Sequence, residues 1–235
     1  MIKAGSFSRL DVFESCALRA KLAFIDKIPE PERPLPPGKT EHANDRGSRI
    51  HEHADRYVKG LEPEQLPEMG KFKVEFERMR ALFAEGKVLA EEMWCYDLNW
   101  AVCGDRDWDA TKFRIKTDAT VWLTDDTIVV TDYKTGKRWG NEVKHAQQAQ
   151  LYALGAALRY DEIQQIHTEL WYLDLDEMIP MTMRRDQALR FFKNWDERNR
   201  KMMECTDFAP RPSREACKWC PYGPKKSGHC TVGIQ

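Results

Sequence analysis

The 235-residue chain carries 37 Lys and Arg against 38 Asp and Glu, a formal charge of −1. No overall positive field marks it as a binder of polyanions, so any such contact must come from local patches. Its length is enough for one well-buried domain with embellishments. No apolar run approaches the roughly 20 residues of a membrane span, and the N-terminus lacks the apolar core of a signal peptide, which leads us to expect a soluble intracellular protein.

Along the chain, residues 6–22 carry Leu10, Phe13 and Ala17 on one helical face, with Ser6 available as an N-cap and Cys16 near the end. Residues 29–38 are proline-rich and predict a linker or extended loop. The loop ends on Gly38-Lys39-Thr40, but Arg33 stands where a phosphate-binding loop needs its first glycine, so that reading is rejected. Helical character returns over 41–59, with Gly47 and His51 one turn apart. A second helix follows with Phe72, Phe76, Met79 and Phe83 at helical period, a core stripe. Residues 88–100 read as a strand. Residues 111–123 and 127–134 are β-branched and aromatic-rich around Asp125-Asp126, a hairpin signal. A helix over 142–159, a strand over 166–175 and a helix over 186–203 complete a mixed α/β pattern. Basic clusters lie between Arg184 and Lys201 and between Arg211 and Lys226; charge alone does not separate a nucleic-acid contact from a solvated face.

The chemistry concentrates in Asp118, then Asp132-Tyr133-Lys134, then Gln148 and Tyr152. Two carboxylates suit a hard divalent cation that activates water, and a lysine beside them adds positive charge for a developing anion. On a strand Asp132 and Lys134 project to one face while Tyr133 points away. An acidic residue two before lysine also occurs at Glu85/Lys87 and Glu142/Lys144. Only Asp132/Lys134 ends an apolar strand, Ile128-Val129-Val130, next to another strand bearing an aspartate. The alternative is an edge strand with a surface salt bridge. A lone His51 is by itself more often a polar surface or satisfied core residue, and Gln148 and Tyr152, one helical turn apart, could be ordinary packing. The register matters too. A plain two-residue turn at Asp125-Asp126 would set Asp118 opposite Tyr133, on the wrong face to share an ion with Asp132. The expectation is therefore a three-residue connection, or a one-residue bulge between Ala119 and Thr131, that puts Asp118 across from Asp132.

In order and spacing, Gly47-xxx-His51, Asp118, Asp132-Tyr133-Lys134-Thr135-Gly136 and Gln148-xxx-Tyr152 resemble the RecB-like branch of the PD-(D/E)xK nuclease superfamily. That branch includes CRISPR-associated RecB-like exonucleases and RecB- and AddB-type nuclease domains. The resemblance spans most of the chain, with residues 61–113 only loosely constrained, and it implies a restriction-endonuclease-like mixed central sheet flanked by helices. It further implies that His51, Asp118 and Asp132 hold Mg²⁺ or Mn²⁺, with the Tyr133 carbonyl as a further ligand. Lys134 would be the catalytic cation, and Gln148 and Tyr152 would support it or contact DNA. One departure is Ile115, where the family often carries glycine.

Seven cysteines in an intracellular chain point to metal ligation or buried thiols. Cys217-Lys218-Trp219-Cys220 is a C-x-x-C knuckle, with Cys230 downstream. Residues 6–16 resemble the N-terminal cluster segment of the same nucleases, in which one early and three late cysteines hold a [4Fe-4S] cluster; this makes Cys16 the fourth ligand. Cys205 and His229 compete for that place, and Zn²⁺, a disulfide or free thiols remain alternatives. Cys95 and Cys103 read as ordinary cysteines with no second thiol close by. The expected organisation is one nuclease domain over 1–235, with core 41–203 and a structural cluster region formed by 1–28 and 205–235.

These features lead to an expected metal-dependent deoxyribonuclease, an exonuclease on single-stranded or resected DNA ends, cytoplasmic or nucleoid-associated, acting with a recombination or helicase partner and with no membrane. The competing readings are a catalytically silent DNA-binding module and a zinc-stapled interaction protein.

Overall fold

The computed structural model describes residues 1–234. The elements are β1 (Gly5–Ser6), α1 (Phe7–Ser15), α2 (Ala17–Phe24), α3 (Ala43–Val58), a 3-10 helix (Pro67–Phe72), α4 (Lys73–Ala84), β2 (Val88–Tyr96) and β3 (Val102–Cys103). They continue with β4 (Phe113–Thr124), β5 (Thr127–Lys134), α5 (Glu142–Arg159), β6 (Gln165–Tyr172), β7 (Glu177–Arg184), α6 (Arg185–Leu189), α7 (Phe192–Met203) and α8 (Arg214–Lys218).

The strands form one mixed sheet in the order β3-β2-β4-β5-β6-β7, with β1 beside the first residues of β4. β5 and β6 run parallel, and α5 makes the crossover that a parallel pair needs. Alternation along the strands feeds two cores. Ile128 and Val130 of β5 pack with Trp94, Ile115, Leu151 and Leu154 on the side of α5, while Val129 and Tyr133 pack with Ile50, Phe76, Val121 and Trp171 on the side of α3 and α4. Helix α5 sits close on the sheet at Gly155, where a Cβ would come within 2.5 Å of Ile115 Cδ1. Ile115 is accommodated because the helix facing it carries no side chain there. The expected α/β class and the helix-flanked mixed sheet are both present.

Several boundaries differ from the sequence reading, each for a local reason. The N-terminal helix is capped by Ser6 Oγ, which accepts from Arg9 N–H at 3.3 Å, but it breaks at Cys16, whose extended backbone (φ −159°) separates α1 from α2. The strand read as 88–100 stops at Tyr96, because Asp97 Oδ1 accepts from the N–H groups of Asn99 and Ala101 and closes a turn. The helix read as 186–203 divides into α6 and α7 around Arg190-Phe191. β7 is not evident in the sequence: it is a half-buried edge strand that carries Pro180 within its ladder, a residue tolerated there because the strand is an edge.

Candidate metal and carboxylate-lysine site

The hairpin between β4 and β5 sets the geometry. Thr124 pairs with Thr127 around a two-residue turn, and the register then shifts between Trp122 and Thr124, leaving Leu123 as a one-residue bulge. Asp126 supports the turn by accepting from Thr124 Oγ1 at 2.7 Å and Thr127 Oγ1 at 2.9 Å. Beyond the bulge Trp122 pairs with Ile128 and Ala119 with Thr131, so Asp118 is level with Asp132. This is the expected bulge. The ladder stops there, and Asp118 Oδ2 accepts the Tyr133 N–H at 2.6 Å in place of a backbone carbonyl.

On the other side of β4, Ala90 pairs with Ala119 and Glu92 with Thr117, which makes Glu91 the residue opposite Asp118. Glu91 has φ +56°, a left-handed conformation that is rare for a non-glycine residue inside a strand. Both strands reverse their alternation around this pair. Val88 and Ala90 join the α3/α4 side whereas Trp94 and Tyr96 join the α5 side; likewise Ala119 and Val121 face α3 and α4 whereas Phe113 and Ile115 face α5. The reversal brings ligand atoms of His51, Glu91 and Asp118 within 4.8 Å of one another. Glu91 was not singled out in the sequence; the cavity beside it is lined by Gly47, Ser48, His51, Glu52, Asp55 and Lys116 as well.

His51 reaches this point from α3, its Nδ1 lying 2.8 Å from Asp118 Oδ1. Gly47, one turn earlier, explains the close seating of that helix: a Cβ there would meet Thr135 Oγ1 at 3.2 Å. The Asp-Tyr-Lys-Thr-Gly segment is held from the same direction. Asp174, after β6, accepts from Arg46 Nη1 at 2.9 Å, from Arg46 Nη2 at 2.7 Å and from Gly136 N–H at 2.6 Å, tying α3 to the loop after β5. The Arg46 guanidinium keeps the Asp174 carboxyl below its ordinary range.

The second half of the site stands on β5 and α5. Lys134 Nζ lies 2.6 Å from Asp132 Oδ2 and donates to Gln148 Oε1 at 2.6 Å. Gln148 Nε2 donates to Tyr152 OH at 2.7 Å, and Tyr152 OH donates to Asp132 Oδ1 at 2.5 Å. The predicted one-turn spacing of Gln148 and Tyr152 thus brackets the carboxylate and the lysine. Asp132 Oδ2 is buried and takes no well-angled hydrogen bond; the lysine ion pair leaves it acceptor capacity. By contrast, Glu85 and Lys87 form an exposed ion pair between α4 and β2.

Burial raises the Asp118 carboxyl above its usual range, and the Asp132 charge adds to that. For His51, burial works against the charged imidazolium, but its hydrogen bond to Asp118 and the charges of Asp118, Asp132 and Glu91 outweigh it and raise its pKa. An electron-rich pocket of this kind stabilises positive charge, and His51, Glu91 and Asp118 offer one nitrogen and carboxylate oxygens of the kind that Mg²⁺ or Mn²⁺ accepts. The donor set fits the ion. Tyr133 contributes its N–H to Asp118, while its ring packs against Phe76 and Trp171.

At the opposite extreme of the chain, Cys16, Cys217, Cys220 and Cys230 line one small cavity with Arg19, Leu22 and Tyr222. Tyr222 OH donates to the Ile28 carbonyl at 2.9 Å, so the two ends of the chain are joined there. Arg211 N–H points at Cys16 Sγ, 3.5 Å away. The competing positions turn elsewhere: Cys205 Sγ donates to the Asp207 carbonyl and His229 Nδ1 lies 2.9 Å from Ser227 Oγ. The reading of Cys95 and Cys103 as solitary needs correction, since they are direct partners across β2 and β3. Closing of the chain over residues 97–102 returns the second cysteine to the first, which separation in sequence concealed.

The basic cluster of 184–201 is largely neutralised by pairs such as Arg185–Asp161, Arg198–Glu14 and Arg200–Asp196. No helix among the described residues is long and apolar enough to cross a membrane.

Two solved structures have related shapes. The protein SSO0001 is 13% identical with TM-score 0.48, over 100% of this chain and 89% of its own. A protein of Eubacterium rectale, described as a candidate exonuclease, is 11% identical with TM-score 0.49, over 99% of this chain and 90% of its own. No curated protein matches the chain. The PD-(D/E)XK nuclease superfamily matches residues 4–224, almost the whole length, and the chain belongs to that superfamily.

Proposed function

We propose that this protein is a divalent-metal-dependent deoxyribonuclease of the RecB-like branch, an exonuclease on single-stranded or resected DNA ends, whose two termini are stapled by a [4Fe-4S] cluster. The observation that carries the reading is the contact set around Asp132: one buried carboxylate fixed by Tyr152 and paired with Lys134, level with a second carboxylate that contacts His51. Superfamily membership supports the nuclease class.

His51, Asp118, Asp132 and Glu91 are the residues assigned to Mg²⁺ or Mn²⁺, with the Tyr133 carbonyl as a further ligand. Bound there, the ion lowers the pKa of a water and offsets charge on a phosphate oxygen. Lys134 is the catalytic cation. Its ammonium is held at two points, by Asp132 and Gln148, so its charge is fixed where the attacking water and the pentavalent phosphate develop negative charge. Tyr152 and Gln148 orient Asp132 and Lys134 from the helix side. The nuclease core is assigned to 41–203 and the cluster region to 1–28 with 205–235.

For the cluster, the support is that Cys16, Cys217, Cys220 and Cys230 line one cavity, the one-early, three-late set of cysteines that the resemblance assigns to a [4Fe-4S] cluster, in which each iron corner takes one thiolate.

The test is digestion of end-labelled single- and double-stranded DNA with Mg²⁺ or Mn²⁺, comparing the wild type with Asp132→Ala. Metal-dependent shortening from one end that the variant lacks is the expected result and also gives polarity. DNA binding without cleavage by the wild type would leave the silent-module reading in its place.

A further inference from the structure

We propose that Trp139 is a stacking platform for an unpaired base of the substrate strand, so that the site takes single-stranded nucleic acid or a frayed end. The inference rests on the nuclease reading and adds a residue and a mode of recognition to it.

The argument begins with position. β4 runs antiparallel to β5, and β5 parallel to β6. One end of the sheet therefore gathers the C-terminal ends of β2, β5 and β6 and the start of β4. Lys134 closes β5 at that end, and Trp139 follows five residues later, in the loop that leads into α5. Five residues span at most about 17 Å. From the helix side, the first turn of α5 is roughly 9 Å from Gln148, which touches Lys134. At roughly 3.4 Å per stacked nucleotide, the indole is within about five nucleotides of a phosphate held at Lys134.

Exposure comes next. Trp139 is 74% exposed, although indoles normally bury their large apolar faces. The loop that carries it is not loose. Gly136 N–H is held by Asp174, Asn141 N–H by the Arg138 carbonyl, and Gly140 N–H by Glu142. A ring presented to solvent on an anchored loop is preorganised for a flat apolar ligand. Its neighbour Arg138 has its guanidinium 5.7 Å from the indole centroid and is itself anchored on Glu177 at 2.6 Å. An exposed π face is what an unpaired base stacks on, and Arg138, held in its ion pair with Glu177, fixes the loop beside it.

A second exposed indole beside a guanidinium lies at the same end of the sheet. Trp108, in the loop before β4 at the same end of the sheet, is 62% exposed, and Arg114 lies 5.3 Å from its centroid. Trp108 leads into β4 and Trp139 follows β5, the two strands that carry Asp118 and Asp132. In a duplex the base faces are covered by their neighbours, so such platforms select unpaired bases.

The experiment uses the full chain with Ca²⁺ in place of the activating metal, and fluorescence anisotropy with a labelled thymidine 12-mer and a blunt hairpin duplex. Alanine substitution of stacking aromatics sets the scale: Trp139→Ala should bind the 12-mer about 5- to 150-fold more weakly, Trp139→Phe should recover most of that loss, and the duplex should change less than twofold. An exposed side chain leaves the fold intact, which thermal unfolding of each variant checks. Unchanged 12-mer affinity in Trp139→Ala overturns the platform and leaves the indole as a protein contact. Equal losses on 12-mer and duplex overturn it too, because stacking discriminates between them. Metal-dependent cleavage of the 12-mer by the wild type, absent in Asp132→Ala, tests the nuclease reading separately; a wild type that neither binds nor cuts the 12-mer sinks both.

Discussion

Replacing Asp174 with alanine removes a residue that touches neither carboxylate nor lysine, yet it should weaken the metal site. Its carboxylate joins Arg46, five residues before His51, to Gly136, two residues after Lys134. Three charge-assisted hydrogen bonds are lost. A hydrogen bond to a charged group contributes about 1.5–3 kcal/mol when well buried. Here the side chains of the pair are 28% and 29% exposed, so water compensates much of the loss and a total of about 2–3 kcal/mol is expected. With an unfolding entropy near 2.1 cal/mol/K per residue, a chain of 235 residues should lose about 5 °C in Tm. Asp174→Asn keeps one acceptor and should lose about half of that. The sign with pH follows from the lowered carboxyl pKa. A depressed folded-state pKa gives stability that is complete above the unfolded value, near 4, and fades as pH falls through the folded one. The gap between wild type and Asp174→Ala should therefore be constant from neutrality to about pH 5 and narrow below pH 4. Calorimetric melts across that range and Mn²⁺ titration at pH 7 are the assays, with about a fivefold loss of Mn²⁺ affinity expected as His51 loses its fixed position. A Tm within 1 °C of wild type, with unaltered Mn²⁺ binding, would refute the claim that Asp174 aligns the two halves.

Lys134→Ala should lower cleavage by at least about 100-fold while Mn²⁺ and DNA affinities stay within about threefold, because the ammonium acts on the transition state rather than holding the ion; near-normal turnover in a gel assay would remove lysine from its role. Glu91→Gly should act in opposite directions on stability and binding. Glycine relieves a left-handed backbone that costs about 1–3 kcal/mol, so the metal-free protein should melt higher while Mn²⁺ binds about tenfold more weakly. A variant that binds Mn²⁺ like the wild type would exclude Glu91 as a ligand. Freshly purified protein should be brown with visible charge-transfer absorption that Cys217→Ser abolishes; colourless protein with stoichiometric zinc would replace the cluster with a single ion and keep the staple.

Much of the site was legible because its parts are local. Asp132 and Lys134 share a face by strand alternation, and Gln148 and Tyr152 share one by helical spacing, so both pairs could be drawn before any coordinates. The register of the hairpin was legible from an expectation about chemistry: a reading in which Asp118 and Asp132 share an ion requires one extra residue in the connection, and Leu123 is that residue. Gly47 was recognised as a point of close approach, but its partner Thr135 lies 88 positions away and no local pattern names it. The Cys95–Cys103 pairing was missed for the same reason in miniature, since a turn whose length is set by Asp97 decides which residues of β2 and β3 meet.

Glu91 is the informative omission. In Val88-Leu89-Ala90-Glu91-Glu92-Met93-Trp94 it reads as one of two adjacent acids on a half-buried strand, and alternation gives no reason to prefer either. The structure separates them by conformation. Glu92 accepts from Trp94 Nε1 and follows the ordinary pleat, whereas Glu91 takes a left-handed φ and the strand changes face around it. Such a residue violates the period on which strand reading depends, so the same distortion that turns its carboxylate toward His51 and Asp118 hides it from the pattern. The neighbouring strand distorts at the opposite residue, Asp118, and the β4–β5 ladder ends there. Alternation continued from Val88, Ala90, Ala119 and Val121 would turn Asp118 and Glu91 toward α5, whereas alternation continued from Trp94, Tyr96, Phe113 and Ile115 turns them toward α3, where His51 lies. The break in the pleat at this cross-strand pair lets each strand bury apolar side chains in both cores while the two carboxylates stay beside His51.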